Sequence, residues 1–74
     1  MSEIQEFIKK VYQQIILNLD AAVLVTDLRK KLNMSQKEFA QHVKQPISTI
    51  KGIEAGDVNV TQNLINDIVK SAKK

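Results

Sequence analysis

The 74-residue chain predicts an all-α protein of five helices, and three observations carry that prediction. Apolar residues recur at three- and four-residue steps along most of the length, Ser2, Asp20, Ser35 and Thr61 stand where helix caps are needed, and no segment makes a convincing sheet. Only the valines at 23 and 25 leave room for a short strand. At this size the chain is one small unit that buries only about 60% of its unfolded surface, so a large substrate cavity is not expected.

The first helix is expected from Ser2 to about Leu19, capped in the S-x-x-Q sense by Ser2 and Gln5, with Glu3 and Glu6 in its positive first turn. Ile4, Phe7, Ile8, Val11, Tyr12, Ile15, Ile16 and Leu19 give it an apolar face wider than a surface helix requires. That face either wraps into the core, as such stripes generally do, or leaves part of itself for a partner, chiefly a second copy. Asp20 can cap a second helix to Leu32, with Val25, Leu28 and Leu32 at helical spacing and Asn33 as a left-handed stop.

Ser35 and Glu38 can satisfy each other as a capping box at the start of a third helix, 35–44, whose face is Phe39, Ala40 and Val43. A fourth, 46–55, carries Ile47, Ile50 and Ile53 and stops at Gly56. Only Lys44, Gln45 and Pro46 separate the two faces, which forces the helices to cross steeply. Thr61 caps the last helix, bearing Leu64, Ile65, Ile68, Val69 and Ala72, and Lys70, Lys73 and Lys74 suit its negative end. The organisation read from this is an N-terminal amphipathic helix, 1–19, packing on the domain or a partner, followed by a domain over 20–74.

The net charge is +3, and the excess sits in the middle: residues 21–56 hold six Lys and Arg against three Asp and Glu. Such a patch is compatible with phosphate binding. The chain has no cysteine, which excludes a disulfide framework and a thiolate zinc site. No apolar run reaches the roughly 20 residues of a bilayer span, and the amphipathic, acidic N-terminus does not read as a secretory signal. A soluble cytoplasmic protein is expected, nucleoid-associated if bacterial or phage.

Residues 25 to 69 resemble the lambda-repressor-like helix-turn-helix family, also called Cro/repressor-type or XRE. The matching residues are Leu28-Arg29, Met34-Ser35-Gln36, Phe39-Ala40, Val43, Ser48-Thr49-Ile50, Ile53-Glu54 and Gly56, then Leu64, Ile65 and Ile68, with no gap in spacing. The resemblance implies a lambda-repressor-like domain with an extra N-terminal helix and no helix after the family's fourth. It implies double-stranded DNA as partner, with helix 46–55 in the major groove.

By family position Ile47, Ser48, Thr49, Lys51 and Gly52 face the bases. Ser35, Gln36, Lys37, Lys44 and Asn59 face phosphates. The resemblance also implies a partly buried ion pair between Arg29 and Glu54. Ala40 is small because the next helix crosses above it, and Gly52 allows close approach to the bases. Two departures stand at the turn: Lys44 replaces the usual Gly, and Gln45-Pro46 replace an apolar residue and a capping Ser or Thr, with Pro46 read as the first helical residue.

The function expected is a sequence-specific DNA-binding transcriptional regulator of the phage-repressor, Cro or antitoxin kind, acting as a homodimer, with the N-terminal helix a candidate dimer surface. The alternative is a protein-interaction adaptor on the same scaffold, like a transcriptional bridging factor. A membrane-surface role suits the N-terminal helix poorly, since Lys9 and Lys10 face two glutamates on its polar side. No catalytic residue, metal, cofactor or small-molecule substrate is expected. Ser48-x-x-Lys51 lacks the companion motifs of an acyl-transfer enzyme, Ser35 and Thr61 are caps rather than parts of glycosylation sites, and His42 has no ligand partners nearby and reads as solvent-facing.

Overall fold

The computed structural model describes residues 2–73, and Lys74 of the expected basic tail lies outside them. Among the described residues the fold is four helices and no strand: α1 Glu3–Lys31, α2 Gln36–His42, α3 Ile47–Ala55 and α4 Gln62–Ala72. The expected count of five is corrected because α1 runs unbroken through Asp20. A cap at that position would need non-helical backbone and a second costly nucleation. The good helix formers Leu17, Leu19, Ala21, Ala22 and Leu24 around it favour continuing the ladder instead. Val23 and Val25 are likewise helical.

The caps follow local chemistry. Ser2 Oγ accepts from the Gln5 amide at 3.3 Å, and Thr61 Oγ1 from the Leu64 amide at 3.1 Å. At α2 the capping box is complete: the Glu38 amide donates to Ser35 Oγ at 3.1 Å and the Ser35 amide to Glu38 Oε1 at 3.0 Å. Pro46 is the N-cap of α3 rather than its first residue, so that helix begins at Ile47.

The first three helices end alike. Asn33, Lys44 and Gly56 take positive φ of 55°, 58° and 77°. Each passes its amide to the carbonyl three residues back, and the following residue reaches five back: Met34 to Arg29 at 3.1 Å, Gln45 to Ala40 at 2.9 Å and Asp57 to Gly52 at 2.9 Å. This is the paired-bond stop that satisfies orphan carbonyls. Lys44 accepts the left-handed conformation that Gly would take freely.

The core is Val25 of α1, Phe39 and Ala40 of α2, Val43 at the C-cap of α2, Ile50 and Ile53 of α3, Val60, and Ile65, Ile68 and Ala72 of α4. Ala21, also buried, extends it along α1. Only the C-terminal half of that helix contributes. Its 29 residues span about 43 Å, close to the 46 Å long axis of a molecule otherwise 20 × 19 Å. The N-terminal turns project beyond the domain, and Ile4, Phe7, Tyr12 and Leu19 remain 59–71% exposed. The reading in which the whole face packs into the core is therefore corrected: three short helices offer too little surface to cover a helix this long.

Candidate nucleic-acid interface

The short α3 is fixed from below and on one flank. Ile50 and Ile53 anchor it in the core, and Glu54 ties its last turn to α1. Arg29 grips that carboxylate with two nitrogens, Nε to Oε2 at 2.9 Å and a terminal nitrogen to Oε1 at 3.0 Å. Thr26 Oγ1 adds a bond to Oε1 at 3.2 Å, and the other guanidinium nitrogen donates to the Met34 carbonyl at 3.1 Å. The side chains of the pair are 19% and 9% exposed, so the charges are partly stripped of water and their geometry is specific. Burial pushes the Glu54 carboxyl up. The hydrogen bond and charge of Arg29, with Thr26 and Gln36 alongside, outweigh that and hold it below the ordinary carboxylate value.

The outer side of α3 carries Ile47, Ser48 and Lys51, all exposed. Ala55 continues this face one turn on and was missed by motif position, although its helical spacing from Lys51 marks it. Thr49 is half-buried. Gly52 sits at the edge of the face, and a Cβ built there would run into Cγ2 of Val58 in the α3–α4 loop. The glycine thus makes room for that loop, a packing reason that family position alone did not reveal.

Of the expected phosphate-facing residues, Lys37 and Lys44 are exposed. Ser35 is exposed but its oxygen is engaged by the capping box, and the Ser35 amide and hydroxyl keep the Glu38 carboxyl below its ordinary value. Gln36 is half-buried beside Glu54 rather than fully free. Asn59 is exposed, its Oδ1 accepting from Asn18 Nδ2 at 3.0 Å.

That last bond belongs to a clasp between α1 and the loop. Asn18 Oδ1 accepts from the Val60 amide at 3.0 Å, and Gln14 Nε2 donates to the Val60 carbonyl and to Asn18 Oδ1, each at 2.9 Å. Gln14 and Asn18 stand four apart on an otherwise apolar stretch, the signal that could have found them. His42 is half-buried, not solvent-facing, with Nε2 3.4 Å from the Ala72 carbonyl. Among the described residues no group of His, Cys, Asp and Glu could hold a metal ion, and no helix is long and apolar enough to cross a membrane.

A helix-turn-helix family model matches residues 25–71, well over half of the chain. The chain belongs to the Cro/C1-type helix-turn-helix family. No curated protein and no solved structure matches it. In this helix-turn-helix protein the matched segment begins within α1, so the projecting turns of that helix fall outside the family pattern. The family is one of DNA-binding domains, and within the match α2 and α3 are its helix, turn and helix.

Proposed function

We propose that this protein is a sequence-specific DNA-binding transcriptional regulator of the repressor, Cro or antitoxin kind, with α3 in the major groove and two copies on a two-fold site. One observation carries the reading: α3 is clamped by Ile50, Ile53 and the Arg29–Glu54 pair while Ile47, Ser48 and Lys51 stand free on its outer side. In a groove, Ser48 can donate or accept, Ile47 can touch a thymine methyl, and Lys51 can reach guanine or a phosphate. Lys37 and Lys44 are suited to backbone phosphates, as are the Ile47 and Ser48 amides at the start of α3, to which Pro46 offers no side-chain acceptor; the Thr49 amide already donates to the Pro46 carbonyl at 3.0 Å. Ala55 joins the reading face in place of Gly52. Such a regulator acts in the cytoplasm, on the nucleoid in a bacterial host.

Selection of bound sites from random duplexes tests this. Enrichment of a two-fold sequence supports it, and recovery of no preferred sequence with salt-independent retention overturns it. The adaptor reading is favoured by a different observation, the apolar surface on α1. It predicts that weak DNA affinity persists when positions 47 to 51 are changed.

A further inference from the structure

The exposed apolar surface of α1 has an internal order. One row along the helix is Ile4, Ile8, Tyr12 and Ile16. The adjacent row is Phe7, Val11, Ile15 and Leu19. These eight side chains are 43–71% exposed, and both rows step by four residues, the ridge that packs into a like ridge at a crossing of roughly 50°. At 3.6 residues per turn their mean direction lies roughly a third of a turn from that of Ala21, Val25 and Leu28, which face the protein's own core. The helix therefore carries two apolar faces, one filled from within the chain and one without an occupant among the described residues.

The open face is its own complement. Reversing the chain about the midpoint between Val11 and Tyr12 exchanges Ile4 with Leu19, Phe7 with Ile16 and Ile8 with Ile15, so every apolar residue falls on another. A two-fold interface has that requirement, residue i on j and j on i. Charge points the same way. Parallel pairing would set Glu3, Glu6, Lys9 and Lys10 each beside its own kind, whereas the reversed pairing sets Lys9 and Lys10 near Gln14 and Gln13 and leaves only Glu3 near Asp20, at the periphery. The area suffices as well: with roughly 150–250 Å² for each of the two aromatics when fully buried and less for each aliphatic side chain, the eight half-exposed ones offer at most on the order of 800 Å², one side of a standard interface. A patch of that extent is more than monomers usually leave bare.

We infer that the N-terminal part of α1 is the docking surface for a second copy of this chain, the two helices crossing antiparallel about an axis at Val11 and Tyr12. Ile8 of one copy then meets Ile15 of the other. The inference stands on α1 alone; one consequence rests on the DNA-binding reading. Val25, in the core that supports α3, lies some 20 Å along the helix from the axis. Two such arms crossing at that angle set the supports of the two α3 helices on the order of 35–40 Å apart, near the one-turn spacing of half-sites.

The test uses the full chain without DNA, so its outcome is separate from that of the DNA-binding reading. Light scattering is expected to give twice the 8.4 kDa chain mass, and Ile8→Glu to give a monomer with its helical circular dichroism retained. Because the chain contains no cysteine, Ile8→Cys and Ile15→Cys can be introduced singly. Under mild oxidation the mixture of the two should form a disulfide-linked dimer and neither alone should. A monomer at high concentration, a dimer indifferent to Ile8→Glu, or an Ile8→Cys chain that links to itself would each overturn the proposal.

Discussion

Val58 closes over Gly52: its Cγ2 methyl occupies the space where a side chain at 52 would begin. The loop after α3 is thereby seated against the helix, and the Asn18 clasp holds the same loop to α1 through Val60. Gly52→Ala should gain about 1 kcal/mol of helix propensity and lose about 1–3 kcal/mol to overpacking, leaving a net destabilisation. Adding Val58→Ala should recover most of the loss. Urea unfolding of the two variants measures this; a single variant more stable than the parent would refute the packing role.

Lys44 holds φ at 58° between α2 and α3, a conformation that costs a residue with a Cβ about 1 kcal/mol. Lys44→Gly is expected to raise the urea midpoint by a corresponding amount. In the same variant DNA affinity should fall, because an exposed cation at the turn is lost. An unchanged midpoint would mean that the turn relaxes some other way.

The Arg29–Glu54 pair is specific in geometry, and partly desolvated charges leave a penalty when one is removed. Arg29→Leu and Glu54→Leu should each destabilise more than the double substitution. A double-mutant cycle by thermal denaturation reads the sign directly.

Acid should destabilise the protein in a defined direction. Glu54 and Glu38 both titrate below their ordinary value in the folded chain, so the unfolded state takes up protons first as pH falls. Their contribution is complete above the unfolded carboxylate range, about 4.3, and is lost as pH drops through the lower folded values. Tm should hold steady from neutrality to about that range and fall below it. Glu54→Gln should flatten the slope of the fall.

At the DNA face two substitutions separate positioning from reading. Lys37→Ala should weaken binding to all duplexes alike and lower the salt slope by about 0.9. Ser48→Ala should reorder preferences among sequences with little change in that slope. Fluorescence anisotropy over a salt series distinguishes them, and a Ser48→Ala variant with unaltered preferences would remove Ser48 from the reading set.

Much of this was legible locally. Ser2, Ser35 and Thr61 cap where their spacing to the first turn demands, Asn33 and Gly56 stop helices, and Phe39, Val43, Ile50 and Ile53 face the core their periodicity assigns. Such features depend on residues within a turn or two of one another, which the sequence holds adjacent.

What the sequence by itself determined is the all-α class and the α2–turn–α3 unit, because caps, stops and helical periods are short-range. What only the tertiary structure decided is which of two competing local signals prevails and which apolar surface finds a cover. Asp20 could cap a helix, yet stays within α1 because the ladder around it is continuous. Gly52 could face DNA or the protein, and the path of the distant Val58 loop sets it against the protein. The apolar face from Ile4 to Leu19 could wrap into the core or wait for a partner, and among the described residues it stays exposed, since burial depends on how much surface the other helices bring, a quantity no local pattern contains.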